Sequence, residues 1–318
     1  MTKNVLLSAG GGGHTGYAYA LAQRLYGKAN LHFLVPEGDT LSLERLNKFG
    51  NVNFLLKARG AKTSNTQLIP RLGKAFIDSL KHVSSKCDAV VSTGSNFSIP
   101  PAFAAWLKHI PLINIESSVR FTKASKTALI LQPFSTLTIL HWEEQKKLLK
   151  KGITVGPLLP KPQVKPWNGG YILVTGGTLG HKLLFDTISE SKLENVVLQT
   201  GQVDPEPYAK KHPNWKVIRF STTFYELVAG AELVVTHFGS TALEALVYRK
   251  PMVLVLNPEW TRTVGKTDAE IFANKVKAAF LSDISLPNLL KAMEEAGKTQ
   301  LPVFQDGAER LAKIILEL

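Results

Sequence analysis

Residues 4–25 read NVLLSAGGGGHTGYAYALAQRL: a short apolar run, four consecutive glycines at 10–13, a histidine, and an alanine-rich stretch. Glycine tolerates positive φ and lets backbone N–H groups approach a ligand closely. The helix expected from about Thr15 to Leu25 presents its positive end at that turn, where an anion is stabilised. The grammar returns at 171–180, YILVTGGTLG, with a second strand and a second glycine turn. Apolar runs follow each: LHFLV, VNFLL, DAVVS, PLINI and LTIL in the first half; NVVLQT, WKVIRF, ELVVT and PMVLVL in the second. Continuous apolar strands alternating with helical segments mark parallel sheets covered on both faces. GPLLPKPQVKPWNGG (156–170) is rich in Pro and Gly and reads as a linker. The expectation is therefore α/β: two doubly wound Rossmann-like domains, 1–158 and 159–318, with an interdomain cleft. The amphipathic segment GAERLAKIILEL (307–318) could pack back onto the first domain.

Composition narrows the function. Hydrophobic residues are 44% and charged residues 20% of the 318, an ordinary globular balance. The single cysteine, Cys87, excludes an internal disulfide framework and suits a reducing compartment. There is no signal-peptide pattern at the start, and no apolar stretch of the roughly 18 residues that span a bilayer. A soluble or peripheral cytoplasmic protein is expected. The net charge of +13 lies almost wholly in residues 1–160, which carry 20 Lys+Arg against 8 Asp+Glu. Such a surface attracts phosphorylated substrates, anionic lipid or nucleic acid. Nucleic acid is not expected, because no basic stripe is interleaved with exposed aromatics for base stacking.

The glycine turn alone is weak evidence for a dinucleotide, which would want an acid about 20 residues on. Glu37 and Asp39 come somewhat late. His14 shifts the balance. An imidazole at a helix start titrates near neutrality, lowered by the dipole, and is a good general base for a hydroxyl. A histidine there can also do no more than bond locally.

GGGGHTGYAYALAQRL, VSTGSNFSIPPAFAAWL and LINIESSVR resemble the glycine–histidine motif, the following glycine-rich stretch and the "IES-x-x-R" segment of the anchoring subunit of the eukaryotic dolichol-linked chitobiose synthase. VTGGTLG, VVLQTGQ, ELVVTHFGSTALEAL and KPMVLVLNP resemble the catalytic partner subunit, and the two-domain order is similar to bacterial MurG. The resemblance implies a GT-B glycosyltransferase, as if both subunits were fused. Such enzymes transfer GlcNAc from UDP-GlcNAc, with inversion, to a lipid-diphosphate-linked sugar at the cytoplasmic membrane face. They need no metal-holding Asp-x-Asp, and this chain has none. UDP-GlcNAc is the donor substrate, and no cofactor or metal is implied.

That resemblance assigns roles. Ser240 and Thr241 would hold the donor diphosphate at a helix start, and Glu244 the ribose hydroxyls. Gly176, Gly177 and Thr178 approach the phosphates, Gln199 and Gly201 line the nucleotide site, and Phe220 and Ser221 begin a uracil loop. Two departures stand out. HFGST is one residue shorter than the family's pattern around His237, and GKTDAEIFAN puts Asp268 where relatives carry a glutamine for the sugar hydroxyls. On the acceptor side Gly12, Gly13, Thr15, Gly94, Ser95 and Arg120 would meet phosphate or acceptor. An inverting transfer needs one base. His14 is the candidate, with Glu116 either a second candidate or an orienting group; Arg120 could equally be its structural ion-pair partner.

With MTKNVLL at the start of the sequence, no counterpart of the anchoring subunit's transmembrane helix is expected. Docking to an anionic membrane is expected instead from Lys57, Arg59, Lys62, Arg71, Lys74, Arg120, Lys123 and Lys126. The apolar side chains of QLIPRLGKAF and PPAFAAWLKHI would dip into the interface. The expected partners are thus UDP-GlcNAc, a polyprenyl- or dolichyl-diphosphate-linked sugar and that membrane. Rival readings are MurG-like transfer to a muramyl lipid, a UDP-GlcNAc epimerase or hydrolase of the same architecture, a non-catalytic UDP-sugar-binding protein, and an NAD-dependent oxidoreductase.

Overall fold

The computed structural model describes residues 2–59, 65–260 and 264–318. The chain divides into two units, residues 1–160 with 304–318, and residues 161–303. Of the basic residues named above, Lys62 lies outside the described residues.

The first unit runs β1 (Lys3–Ser8), α1 (Gly13–Leu25), β2 (Ala29–Pro36), α2 (Thr40–Leu46), β3 (Gly50–Leu55), α3 (Asn65–His82), β4 (Ala89–Ser92), α4 (Ile99–Leu107), β5 (Leu112–Ile115), α5 (Lys126–Leu131), β6 (Leu137–Leu140) and β7 (Ile153–Thr154). Its sheet is parallel, in the order β3-β2-β1-β4-β5-β6-β7. Leu7 of β1 lies opposite Phe33 of β2 and Val91 of β4. All three are fully buried, as the unbroken apolar runs required. Each such side chain contributes about 1.5–3 kcal/mol by leaving water.

The second unit runs β8 (Ile172–Thr175), α6 (Lys182–Ile188), β9 (Val196–Gln199), α7 (Glu206–Lys211), β10 (Lys216–Ile218), α8 (Phe224–Gly230), β11 (Leu233–Thr236), α9 (Ser240–Val247), β12 (Met252–Val255), α10 (Lys266–Val276), β13 (Ala279–Leu281) and α11 (Leu286–Gly297). Its parallel sheet has the order β10-β9-β8-β11-β12-β13. Val174, Phe185, Leu198, Val235, Val253 and Leu289 form the centre of its core. The segment after Pro160 is laid along this unit: Trp167 N donates to Ala229 O and Gly169 N to Gly230 O. Lys250 Nζ donates to Trp167 O at 2.7 Å.

The last helix, α12 (Gly307–Glu317), returns to the first unit and covers α1. That cover explains why α1 is buried almost all round, including Ala18, Ala20, Leu21 and Ala22. Arg24 of α1, almost fully buried, donates to Asp306 Oδ2 at 2.6 Å. The other oxygen of Asp306 accepts Glu309 N and caps α12. Strands β7 and β13 were not legible in the sequence. At two and three residues, they are too short to carry a pattern and exist through pairing with β6 and β12.

Candidate functional site

In doubly wound sheets ligands bind beyond the carboxyl ends of the strands, where the strand order reverses. Here the reversal falls between β1 and β4 in the first unit and between β8 and β11 in the second. Both points hold a histidine set against a glycine.

In the first unit Gly12 (φ 54°) caps α1, Gly13 opens it, and His14 follows in the first turn. His14 Nδ1 lies 2.7 Å from Thr93 O, in the loop after β4. A carbonyl only accepts, so Nδ1 carries the hydrogen and the lone pair resides on Nε2. Burial lowers the affinity of the half-buried ring for a second proton, and the charge of Lys57 adds to that effect. The hydrogen bond to Thr93 acts against both. A neutral imidazole with an oriented Nε2 can take a proton from a hydroxyl. Gly94 makes room for it: its φ is +92°, and a Cβ there would stand 3.0 Å from the ring.

The other residues expected on the acceptor side divide. The Gly12 position faces open space. Ser95, half-buried, accepts Phe97 N at 3.2 Å and caps a short 3₁₀ turn. Thr15 does not face a ligand: it is buried, and its hydroxyl bonds Ser42 Oγ at 2.6 Å. Ser42 in turn donates to Asp39, whose other oxygen accepts Ser42 N at the start of α2. Asp39 is thus a helix cap rather than a ribose acid.

Glu116 follows β5 and closes the next loop. It is 0% exposed; one oxygen accepts Ser117 N at 2.6 Å and the other Ser125 N at 2.7 Å. Burial raises its pKa, while the two amides and the charge of Arg120 pull the other way. Each oxygen thus accepts one backbone amide of the loop that the carboxylate closes. Arg120 is half-buried. Its carbonyl accepts Gln145 Nε2 at 2.9 Å, and the same amide group donates to Ser117 O. Gln145, which sequence reasoning passed over, therefore fixes both ends of the Ser117–Arg120 turn.

In the second unit Gly177 has φ +65°, and a Cβ there would sit 2.8 Å from the His237 ring. His237 follows β11 and also lies against Gly239, the residue before α9. Burial, aided by His181, lowers its pKa to about 4. Sequence reasoning left His237 out because its motif is a residue short, yet the ring joins the loops after β8 and β11. Gly176 is confined by the Gly180–His181 backbone, and Gly201 by Gly177 O and Thr178 O. Thr178 is exposed. Gln199 is spent inside the unit: it accepts from Thr175 Oγ1 and donates to Arg219 O at 2.7 Å. Its side chain thus links the end of β8 to the residue after β10.

Ser240, half-buried, opens α9, with Thr241 and Glu244 buried behind it. Asp268 is buried in the first turn of α10. Phe220 is 39% exposed, and Ser221 accepts Thr223 N. These two follow the edge strand β10, two strands away from β8. The structure thus gathers the 176–178 turn, His237 and the start of α9, and leaves Phe220 and Ser221 at the rim. Among the described residues no group of three or more His, Cys, Asp or Glu could hold a metal. No helix among them is long and apolar enough to cross a membrane.

Residues 5–158 match the family model "Oligosaccharide biosynthesis protein Alg14 like", and residues 171–310 the "Glycosyltransferase family 28 C-terminal domain". The chain is 26% identical over 195 residues to UDP-N-acetylglucosamine–N-acetylmuramyl-(pentapeptide) pyrophosphoryl-undecaprenol N-acetylglucosamine transferase 3 of Bacillus cereus, covering 54% of this chain and 53% of that protein. There the chain spans about half the length of the curated relative that it matches. It is 25% identical to the corresponding transferase of Prochlorococcus marinus, over 98% of this chain and 87% of that one. The crystal structure of Acinetobacter baumannii MurG superposes with a TM-score of 0.68 at 19% identity, covering 99% and 100% of the two chains. The fold is GT-B, with two Rossmann-like domains.

Proposed function

We infer, from a chain that joins an Alg14-like half to a glycosyltransferase family 28 C-terminal half on a GT-B fold, that this glycosyltransferase moves GlcNAc from UDP-GlcNAc to a lipid-diphosphate-linked acceptor. The observation that carries the reading is the His14 ring: Nδ1–H is committed to Thr93 O, which leaves Nε2 as the base. It removes the proton from the acceptor hydroxyl as that oxygen attacks the anomeric carbon. The bond to UDP breaks on the opposite face, so the configuration inverts. The leaving diphosphate is stabilised by the amides at the start of α9, with Ser240 and Thr241, and by the 176–178 turn. Glu244 takes the ribose and Asp268 the sugar hydroxyls.

The acceptor we propose is a polyprenyl- or dolichyl-diphospho-GlcNAc, extended through a β-1,4 linkage in early lipid-linked oligosaccharide assembly. The Alg14-like half supports it over a muramyl acceptor. The cytoplasmic membrane face is the proposed place of reaction, reached by peripheral docking of the first unit. Arg59, Lys74, Lys123 and Lys126 are exposed there, and each basic residue near anionic lipid contributes about 1 kcal/mol. Vesicle flotation at low salt tests the docking, and equal binding to neutral and anionic lipid speaks against it.

Incubation with labelled UDP-GlcNAc and polyprenyl-diphospho-GlcNAc tests the transfer, with a disaccharide lipid as the expected product. Product formed only on a muramyl-pentapeptide lipid moves the assignment to MurG-like chemistry. Free GlcNAc or ManNAc without lipid product replaces it with a hydrolase or epimerase.

A further inference from the structure

His14 and Tyr17 stand three residues apart in α1 and therefore share one face of its first turns. Their rings meet edge to face, with centroids 6.4 Å apart. The two side chains reach different loops. His14 bonds Thr93 O, after β4. Tyr17 is buried and reaches the loop after β5, where its hydroxyl donates to Ser118 Oγ at 2.9 Å and accepts Ser118 N at 3.0 Å. Two bonds to one residue fix both the oxygen and the direction of its hydrogen. Burial raises the pKa of the phenol, so it keeps the hydrogen that it donates.

The seat of Tyr17 is itself held. Its ring packs on His141, after β6, with centroids 4.9 Å apart. His141 is buried and accepts Leu158 N at 3.3 Å. Trp142 Nε1 donates to Ser118 O at 2.7 Å. Gln145 Oε1 accepts the amides of His141 and Trp142, while its Nε2 holds Ser117 O and Arg120 O. Such a network rigidifies the 117–120 turn. It grips the turn by its backbone at Ser117, Ser118 and Arg120, and Tyr17 links that framework to the helix carrying His14.

The geometry points to Tyr17 as a positioning residue for the transfer: by bonding Ser118 it sets the distance between the His14 ring and the 117–120 turn. This role rests on the transfer reading above, in which His14 is the base, and on the expectation that Arg120 meets the acceptor. A base must stand about 2.6–3.2 Å from the oxygen that it deprotonates. If α1 drifts from the turn, rate is lost although the imidazole is intact. Tyr17 acts on that distance alone and exchanges no proton with the acceptor.

Tyr17→Phe keeps the ring against His141 and His14 and removes the hydroxyl. In the transfer assay it should lower kcat about tenfold to 100-fold, with UDP affinity by calorimetry unchanged. The decisive measurement is the same substitution made in His14→Ala. A residue that acts through His14 has nothing left to position there, so the residual rate should fall by less than about twofold. An equal fractional loss with and without His14 overturns the positioning role, because a general weakening of the fold would act in both backgrounds. Ser118→Ala keeps the amide bond to the phenol and is the milder form of the test, made in both backgrounds if Tyr17→Phe does not fold. Where Tyr17→Phe folds, adding Ser118→Ala should cost little more than Tyr17→Phe alone, and a loss equal to the product of the two single losses overturns the tether. Near-normal kcat in His14→Ala overturns the base and this role together. A slow His14→Ala beside a natural kcat in folded Tyr17→Phe overturns this role alone.

Discussion

The two crevices of this chain use the same parts in opposite arrangement. In the first unit the histidine belongs to the helix after β1 and its glycine, Gly94, to the loop after β4. In the second the glycine, Gly177, follows β8 and the histidine, His237, follows β11. His14 has one nitrogen tied to a backbone carbonyl and the other free for chemistry. His237 is held neutral by burial, at a pKa of about 4, and lies between the loops after β8 and β11. We propose the histidine of the first unit as the reagent, while that of the second lies against Gly177 and Gly239.

The sharpest way to break the comparison is His14→Ala. Loss of a general base costs about 100- to 10,000-fold in rate, while calorimetry should find UDP binding unchanged. Near-normal turnover removes His14 from the mechanism.

The two glycines come next. Gly94→Ala pushes a methyl group into the His14 ring at a positive φ, and displacement of a catalytic group by about 1 Å costs up to about 100-fold. The loss should appear in kcat. Gly177→Ala pushes on His237 instead and should raise the KM for UDP-GlcNAc by about tenfold with less effect on kcat. If the two variants show the same kinetic pattern, the division of roles is wrong.

Glu116→Gln separates structure from chemistry in the first crevice. The amide group can accept from one of the two backbone N–H groups but not both, so denaturant unfolding should show a loss of about 1–3 kcal/mol. Turnover of the folded fraction should fall far less than in His14→Ala. A loss of rate as large as that of His14→Ala, in a fully stable protein, makes Glu116 the base.

The smallest effect is on pH dependence. Because the pKa of His14 is lowered, the acid limb of kcat/KM should lie below pH 6.5. A limb above that value places the base elsewhere. Stability has the same sign. His181 and His237 titrate at about 4 in the folded chain and near 6.5 when unfolded. The unfolded chain therefore binds more protons as pH falls through that window, and Tm should decline from pH 6.5 towards 4. His237→Gln should shallow the decline. A Tm that is flat over that range contradicts the burial of these rings.

Much of this protein could be read from its residues. The strand–glycine–helix units at 4–25 and 171–180 set a doubly wound plan, because an unbroken apolar run must be covered on both faces. The histidine in the first turn, the lone cysteine and the charge imbalance were equally plain. Proximity was not. Thr15, Gln199 and Glu116 stand in suggestive motifs, yet each spends its polar atoms on a neighbour: Ser42, Arg219, and the amides of Ser117 and Ser125. Gln145 and His237 looked ordinary and hold the loops. Sequence determines which groups a strand end or helix start can offer, since backbone periodicity is local. Only the folded chain decides which of those groups are already satisfied, because a hydrogen bond across 28 or 79 residues depends on how distant segments are brought together.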